Sequence, residues 1–249
     1  MVLAATVSFG IVIPMYDEEP NAERCVRAVL QTLAALPHQS GLIVVDDGSA
    51  DRTGEILDRL RADFPSLLVE RHPGNRGYGQ ALLTGIARAR AEGFVYALFM
   101  DSDLTNDPKY IPSFVERMLE GVDVIKGSRY VAGGGMVGVP AHRVVVSVVG
   151  NKLAGWLLGV PVADCTNGFR AVKLDLLARM RLTEPGFSVI MQELYCARFQ
   201  GASFCEVPHT LTSRRAEQRP SSFRYRPSVF AQYLKYPVRA FFGIRPREA

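Results

Sequence analysis

Two aspartates one residue apart, Asp101 and Asp103, directly follow the apolar run 98–100. A carboxylate pair at the end of a buried strand can hold one hard divalent cation. Mg²⁺ takes one or two protein carboxylates and leaves the rest of its coordination shell to water and phosphate oxygens. The pair therefore predicts a metal site, and the metal in turn predicts a phosphorylated ligand.

Two further acidic groups follow apolar runs earlier in the chain, namely residues 17–19 and Asp46 with Asp47. Taken singly, each carboxylate could be a helix cap or a turn residue. In an open parallel sheet, however, ligands bind outside the carboxyl ends of the strands, so carboxylates that follow several strands meet at one edge. We expect the three acidic groups to face a common ligand.

The elements that must position these groups alternate in type along the first half of the chain. Short β-branched and apolar runs predict strands, and apolar residues at helical spacing between them predict amphipathic helices. This alternation is typical of an α/β fold with a mostly parallel sheet flanked by helices. The first, second and fourth predicted strands are apolar enough for the centre of the sheet. The predicted strands are residues 6–14, 42–46, 67–71, 94–101 and 122–128.

The regular alternation of strand and helix patterns ends after Ser128. A glycine-rich segment around residues 133–138 predicts a loop, and no internal repeat or linker interrupts the chain. We predict one domain over residues 1–225 and a C-terminal tail over residues 226–249. The remaining predicted elements are a long helix at 143–158, a turn at 164–168, helices at 174–180 and 189–199, and a strand at 203–211.

Charge is distributed unevenly along the chain. The net charge is +4, yet nine basic and only two acidic residues lie from Arg214 onward, so the body before it is mildly acidic. Aromatic and basic residues interleave in this tail, which suits the headgroup layer of an anionic membrane or a homodimer contact. So small a net charge gives no indication of nucleic acid as a partner.

The composition excludes several protein classes. With 249 residues, 48% of them hydrophobic and 22% charged, the chain is expected to fold as a globular protein without a disulfide or metal staple. The spacing of the four cysteines predicts reduced thiols in a cytosolic protein. The N-terminus lacks the features of a signal peptide. Segment 144–162 carries Asn151 and Lys152 in its middle, so we expect no transmembrane span.

Six sequence motifs together resemble those of glycosyltransferase family 2. In chain order they are IVIPMYDEE, VVDDGSADRT, NRGYGQALLTG, MDSDLTNDP, GSRYVAGG and DCTNGFRA. The last two are most similar to the polyprenyl-phosphate (dolichol-phosphate) mannosyltransferase branch. The resemblance implies a GT-A fold, a nucleotide-diphosphate sugar donor, Mg²⁺ or Mn²⁺ as cofactor, and inverting transfer of a hexose. For this branch it implies mannose from GDP-mannose, a polyprenyl phosphate acceptor, and a cytoplasmic enzyme peripherally associated with the membrane face.

The resemblance also implies roles for individual residues of the donor site. Its nucleotide-binding and metal-binding positions correspond to Pro14, Tyr16, Glu18, Asp47, Asp101 and Asp103. Asp47 matches an aspartate that contacts the base, and Asp103 counts among the catalytic groups. One position departs from the pattern, because Thr105 stands where the branch often has a glutamine that helps to bind the metal.

The acceptor site is expected to be built from arginines. The chain has 24 arginines and five lysines, and a planar guanidinium suits phosphate recognition. The resemblance assigns Arg129, Arg143 and Ser147 to the acceptor or transferred phosphate, also as catalytic groups. Arg143 and Ser147 are four residues apart and share a helix face. A lipid phosphate is already anionic, so this acceptor needs no general base. Further candidates for phosphate binding are Arg170, Arg214 and Arg215.

Two alternatives stay open on the sequence. A family 2 enzyme that uses another nucleotide sugar, such as UDP-glucose, and a hydroxyl acceptor would need a general base. Glu193 and Asp164 are the candidates for that base, although Glu193 could equally be the internal partner of an arginine at a sheet end. The second alternative is a non-catalytic scaffold that binds nucleotide or membrane and recruits a separate membrane protein. The intact Asp101–Asp103 pair argues against the scaffold.

Overall fold

A seven-stranded sheet forms the centre of the structure, a computed structural model that describes residues 6–212 and 227–247. Its strands are β1 (Ser8–Met15), β2 (Gln39–Asp46), β3 (Leu67–Arg71), β4 (Tyr96–Phe99), β5 (Val124–Ser128), β7 (Arg170–Lys173) and β8 (Phe204–Pro208). They lie in the order β3-β2-β1-β4-β7-β5-β8. A separate two-stranded sheet pairs β6 (Gly135–Met136) with β9 (Thr210–Leu211).

The first four strands are parallel and confirm the predicted α/β arrangement. In the register of this half, Ile11 of β1 lies between Leu42 of β2 and Leu98 of β4, and all three side chains are fully buried. Apolar residues on both faces leave no side of β1, β2 and β4 for water, which is why their sequence runs are continuous instead of alternating. β1 and β4 lie next to each other at the centre of the sheet.

The second half of the sheet contains a strand that the sequence did not predict. β7 has only four residues, and it is inserted antiparallel between β4 and β5. Its last residue, Lys173, is followed directly by the first residue of the next helix, so no turn signal separates the two elements. Because β7 is antiparallel, its first residue, Arg170, lies beside Phe99 at the end of β4. The loop before β7 therefore reaches the carboxyl edge of the parallel strands.

Helices cover both faces of the sheet and bury two apolar clusters. One cluster joins the sheet to α1, α2 and α4, and the other joins it to α3, α5, α6, α7 and α8. The helices are α1 (Glu19–Ala34), α2 (Thr53–Asp63), α3 (Tyr78–Ala91), α4 (Ile111–Leu119), α5 (Ala141–Leu158), α6 (Leu174–Ala178), α7 (Val189–Phe199) and α8 (Pro227–Phe241). Within the described residues, no helix combines the length and the apolar character that a bilayer span requires.

Two predicted segments differ in detail from the structure. The glycine-rich segment, predicted as a loop, contains the short strand β6. The strand predicted at 203–211 is divided at His209 into β8, which pairs with β5, and β9, which pairs with β6. The change of partner carries the chain from the main sheet to the rim of the carboxyl edge.

The C-terminal helix α8 packs against the body of the protein. Tyr236 and Ala240 are buried, and the Tyr236 hydroxyl donates to Glu184 Oε1 at 2.5 Å. The Tyr195 hydroxyl donates to the Ile244 carbonyl at 2.6 Å. The basic tail therefore contributes one docked helix, and its face toward α5 borders the carboxyl edge of the sheet.

Candidate functional site

A cleft with a cavity volume of about 780 Å³ opens at the carboxyl edge of the sheet. It is lined from both halves of the chain. The predicted site residues in its wall are Pro14, Tyr16, Glu18, Asp47, Asp101, Asp103, Arg129, Arg143 and Ser147. Arg170 is not part of this lining, and Arg214 and Arg215 lie outside the described residues. The fold thus brings the predicted carboxylates and three of the predicted phosphate-binding residues to one cavity.

Asp101 and Asp103 follow β4 and line the cleft. The Thr105 amide and hydroxyl both donate to Asp103 Oδ1, at 3.0 and 2.7 Å. Thr105, the residue that departs from the family pattern, therefore orients the second aspartate. A Cβ atom at Gly168 would lie 3.4 Å from Asp101 Oδ2, so the loop before β7 passes within van der Waals contact of the first aspartate.

The donor set at this point fits a hard divalent cation with a phosphorylated ligand. Asp101 and Asp103 offer carboxylate oxygens, and the described residues contain no cluster of three or more His, Cys, Asp or Glu that could enclose a metal. A site with two carboxylates leaves coordination positions for water and phosphate oxygens, which is the arrangement that Mg²⁺ prefers with nucleotides. The residues present thus fit a metal shared between protein and ligand.

Asp47 lies in the cleft wall with both carboxylate oxygens bound to the protein itself. Its Oδ1 lies 2.6 Å from His72 Nδ1 and accepts from the Arg76 amide at 2.9 Å, while Oδ2 accepts from the Gly77 amide at 2.8 Å. His72 Nε2 lies 2.8 Å from Thr84 Oγ1 on α3. Asp47 therefore fixes the loop after β3 at the β2 end of the cleft, and its predicted contact with the base stays a prediction.

The loops after β1 and β2 are tied together at the same end of the cleft. The Glu18 amide donates to Thr53 Oγ1 at 2.8 Å, and Glu18 Oε2 accepts from Asn21 Nδ2 at 2.6 Å. The Asp17 backbone has a φ of 51°, a conformation that few residues other than glycine adopt. Its amide donates to Ser49 Oγ at 3.0 Å. These contacts hold Glu18 in the wall before any ligand binds.

Arg129 follows β5 at the opposite end of the cleft. Its Nε and Nη2 atoms donate to the two carboxylate oxygens of Asp164, at 2.6 and 2.7 Å, and its amide also donates to Asp164 at 3.1 Å. Asp164 is fully buried. The paired geometry fixes the plane of the Arg129 guanidinium at the cavity wall.

Arg143 and Ser147 lie on the face of α5 that borders the cleft. Ser147 Oγ lies 2.6 Å from the Tyr130 hydroxyl, in the segment that follows β5. This contact joins the helix to the residue next to Arg129. Two elements that are separate in the sequence thereby place two arginines and a hydroxyl at one end of the cavity.

Arg170 occupies the interior of the protein. It is fully buried, and its Nε and Nη2 atoms donate to Glu193 at 2.7 and 2.9 Å. Its guanidinium lies 4.3 Å from the centre of the Phe99 ring. Burial alone would lower the pKa of Arg170, but the Glu193 carboxylate raises it above its usual value. Nη1 donates to the Gly168 carbonyl at 2.9 Å, so Arg170 supports the loop beside Asp101 from below.

Neither residue proposed as a general base for a hydroxyl acceptor is available at the cleft surface. Glu193 is the internal partner of Arg170, and Asp164 is the internal partner of Arg129. Both carboxylates are fully buried. Among the described residues, the acidic side chains that line the cleft are Glu18, Asp47, Asp101 and Asp103, all contributed by the first half of the chain.

Several lining residues had no functional assignment in the sequence analysis. Tyr233 and Leu234 of α8 reach the cleft across α5. Phe187, which precedes α7, stacks on Tyr78 with ring centres 4.4 Å apart. The interleaved aromatic residues of the tail were the only sequence signal for the first two. Phe187 gave no such signal, since an isolated aromatic residue is usual in a core.

An exposed apolar surface adjoins the arginine end of the cleft. Val146, Leu153 and Leu234 belong both to this surface and to the cavity wall. The Trp156 and Phe241 rings join the two helices, with centres 5.3 Å apart. We call this surface the apolar rim, and its exposed members are Val145, Val146, Val149, Leu153, Trp156, Leu234, Val238, Phe241 and Phe242.

Comparison with known proteins adds a family and a fold. The model of the family described as "Glycosyl transferase family 2" matches residues 10–181. A polyprenol monophosphomannose synthase of Mycolicibacterium smegmatis is 33% identical over 208 residues, which are 82% of this chain and 77% of that protein. A dolichol-phosphate mannosyltransferase of Pyrococcus furiosus is 30% identical over 209 residues, again 82% of this chain but only 56% of that longer protein.

Solved structures of glucosyl-3-phosphoglycerate synthase from Mycobacterium tuberculosis share the fold. A complex with Mn²⁺, UDP and phosphoglyceric acid superposes with a TM-score of 0.65 at 23% identity, covering 93% of this chain and 78% of the other. A complex with Mg²⁺ and UDP gives a TM-score of 0.61 at 26% identity, covering 86% and 73%. These superpositions confirm the architecture that the sequence motifs implied.

Proposed function

Because this chain belongs to glycosyltransferase family 2, we propose that it transfers a hexose, mannose from GDP-mannose, to a polyprenyl phosphate with inversion at the anomeric carbon. The observation that carries the proposal is the division of the cleft. Its carboxylates follow the neighbouring strands β1, β2 and β4, whereas Arg129, Arg143 and Ser147 come from the segment after β5 and from α5. The names of the two relatives support mannose as the transferred sugar and a polyprenyl or dolichyl phosphate as the acceptor.

Asp101 and Asp103 are the residues that would hold the divalent cation. When bound, Mg²⁺ or Mn²⁺ would offset the negative charge of the donor diphosphate. The solved complexes of similar fold with UDP and either Mn²⁺ or Mg²⁺ support this assignment. Thr105 holds Asp103 through its amide and hydroxyl, so the second carboxylate is oriented in advance. Glu18 and Asp47 form the wall on the nucleotide side.

The arginine end of the cleft suits an acceptor that is already ionised. A phosphate monoester carries a charge between about −1.5 and −2 near neutral pH, so its oxygen attacks without losing a proton to the protein. In the proposed step that oxygen forms a bond to the anomeric carbon. The bond from this carbon to the diphosphate breaks, and the nucleoside diphosphate leaves with the electron pair. Arg129, Arg143 and Ser147 orient the acceptor phosphate for in-line attack.

The transfer assay that tests the proposal compares two acceptors. The protein is incubated with labelled GDP-mannose or UDP-glucose, with Mn²⁺ or Mg²⁺, and with either polyprenyl phosphate or the matching polyprenol. Among these donors and acceptors, we expect an organic-phase product only when GDP-mannose is combined with polyprenyl phosphate. A product that forms on the free alcohol would contradict the phosphate acceptor, and the absence of a lipid product with every donor would refute the proposed function.

We further propose that the enzyme works at the cytoplasmic face of a membrane, with the apolar rim in contact with the lipid. The rim lies at the mouth of the cleft, where the chain of a bound polyprenyl phosphate would leave the protein. Trp156 is 67% exposed and Phe242 is 72% exposed. Lys235 and Arg239 lie on α8, the helix that ends directly before Phe242. Lys235 Nζ is paired with Glu184 Oε1 at 2.6 Å. Of the two cations, Arg239 would therefore supply the larger attraction, about 1 kcal/mol near an anionic leaflet.

Vesicle sedimentation tests the membrane proposal. Replacing Trp156 and Phe242 together with serine should weaken binding to phosphatidylglycerol vesicles about tenfold, because two aromatic side chains no longer enter the lipid. Val95 provides a matched control, since it is 48% exposed at the other end of β4. Equal binding of the double variant and Val95→Ser would contradict this placement. A homodimer or a separate membrane-protein partner would appear in the same samples by cross-linking.

A further inference from the structure

The loop that precedes β7 connects the two elements carrying the phosphate-binding groups. Its residues 163–167 are themselves fixed by β8, because the Ala163 and Asp164 amides donate to the Glu206 carboxylate at 2.9 and 3.0 Å. Asn167 Nδ2 donates to the Gly127 carbonyl at 2.8 Å at the end of β5. The loop is thus anchored to two neighbouring strands before it reaches the cleft.

Thr166 lies between Arg129 and helix α5. Its Oγ1 accepts from Arg129 Nη2 at 3.2 Å and from Asn151 Nδ2 at 3.2 Å. Its amide donates to Asn151 Oδ1 at 3.0 Å. One hydroxyl therefore contacts both the guanidinium that Asp164 orients and a side chain of the helix that carries the second arginine.

Asn151 completes the connection inside α5. It follows Ser147 by one helical turn, and its Nδ2 donates to the Ser147 carbonyl at 2.8 Å. Asn151 is 99% buried. Its side-chain Nδ2 and Oδ1 both make hydrogen bonds to Thr166, and Nδ2 also donates to the helix backbone. An asparagine in the middle of an apolar helix is costly to bury unless its polar atoms are bound. In Asn151 both the side-chain oxygen and the side-chain nitrogen are hydrogen-bonded.

We propose that Thr166 and Asn151 are positioning residues that set the separation between Arg129 and the Arg143–Ser147 pair, and so match the site to one acceptor phosphate. The inference rests on the proposed function and names the residues that give its acceptor end a fixed shape. Two guanidinium groups at one end of a cavity repel each other, and both have long flexible side chains. Because the segment after β5 and helix α5 are held in place before the ligand binds, less free energy is needed to assemble the phosphate site.

The test compares two substitutions at Thr166 by the affinity of the protein for farnesyl phosphate in the presence of GDP and Mn²⁺. Thr166→Val keeps the shape of the side chain and removes the hydroxyl, whereas Thr166→Ser keeps the hydroxyl and removes the methyl group. We expect Thr166→Val to bind farnesyl phosphate about tenfold more weakly, a change of about 1.4 kcal/mol, and Thr166→Ser to stay within about twofold of the unmodified protein. The affinity for GDP should be unchanged in both.

A role in packing alone would give the opposite order. The serine variant would then lose more affinity and stability than the valine variant, and that result would overturn the inference. Equal affinities of the two variants for farnesyl phosphate would overturn it as well. A protein that binds farnesyl phosphate with the expected order but transfers no hexose would contradict the proposed function while leaving the positioning role intact.

Asn151→Asp provides a second measurement, because aspartate keeps the shape and the acceptor oxygen but cannot donate to Thr166 and the Ser147 carbonyl. In the transfer assay we expect the KM for polyprenyl phosphate to rise several-fold and the KM for the nucleotide sugar to stay constant. Combining it with Thr166→Val should cost less than the two single effects together, since both remove the same connection. Parallel rises in both KM values would contradict the inference.

Discussion

The two ends of the cleft are built in different ways. The end proposed to bind the donor, the donor end, takes its carboxylates from segments that directly follow three neighbouring parallel strands, β1, β2 and β4. The end proposed to bind the acceptor, the acceptor end, takes its cations from the segment after β5 and from α5, which are joined by the loop before the antiparallel strand β7. The first end follows from strand topology alone, whereas the second depends on contacts between elements that are distant in the sequence.

The two ends of the cleft also differ in which charged side chains face the cavity and which are buried. At the donor end, the carboxylates of Asp101 and Asp103 face the cavity and suit a cation that arrives with the ligand. At the acceptor end, the carboxylate that binds Arg129, that of Asp164, is fully buried. The acceptor end thus presents positive charge to the cavity and keeps its compensating negative charge inside the protein.

The largest effect is expected from a change at the donor end. Asp103→Asn removes one of the two carboxylates that fit the cation, so hexose transfer should fall about a thousandfold, given the several kcal/mol that a metal contributes. Mn²⁺ binding, followed by electron paramagnetic resonance, should weaken in parallel. Asp63→Asn, at an exposed carboxylate of α2, is the control. Retained Mn²⁺ binding in Asp103→Asn would show that the cation binds elsewhere.

Breaking the buried ion pair between Glu193 and Arg170 should lower the stability of the protein more than it lowers the rate of hexose transfer. Glu193→Gln leaves the buried Arg170 without its anionic partner, and we expect the free energy of unfolding to fall by about 3 kcal/mol. Transfer activity per folded molecule should change only a few-fold, as measured below the melting temperature of the variant. If Glu193 were a general base, this variant would instead keep donor binding and lose transfer. The double variant Arg170→Met, Glu193→Leu should recover much of the stability.

A change at the acceptor end should leave the donor end intact. Arg143→Ala removes a cation from the phosphate site, so kcat/KM for polyprenyl phosphate should fall about a hundredfold while GDP binding in the presence of Mn²⁺ stays constant. Arg143→Lys should retain part of the activity, since it keeps the charge and loses the planar fork. Arg90→Ala, at an exposed arginine of α3, is the control. Weakened GDP binding in Arg143→Ala would show that the two ends are not separate.

The smallest effect concerns a histidine buried behind the acceptor end. His209 is fully buried against Tyr110 and Phe169, and burial lowers its pKa to about 4. Between pH 6.5 and about 4 the unfolded chain therefore binds a proton that the folded chain does not, so stability falls as the pH falls through this window. In His209→Gln this loss should be smaller by about 2 kcal/mol, as measured by urea unfolding. An unchanged pH profile would contradict the neutral state of His209.

Much of the donor end could be predicted without a structure. The carboxylates follow strongly apolar strands, and parallel strands that share a sheet place their carboxyl ends at one edge. Asp101, Asp103 and Glu18 could therefore be assigned to one cavity from local sequence alone. The role of Asp47 in binding His72 and the loop at 76–77 could not, because those partners lie 25 to 30 residues away and are brought near only by the pairing of β2 with β3.

The sequence by itself determined the family, the alternation of strands and helices, and the acidic edge, because each rests on residues close together in the chain. Only the tertiary structure decided which arginines face the cavity. Arg170 was predicted to bind phosphate but lies inside with Glu193, 23 residues away, while Arg129 reaches the cavity held by Asp164, 35 residues away. A buried charge must find an opposite charge, and the insertion of β7 sets which ones meet.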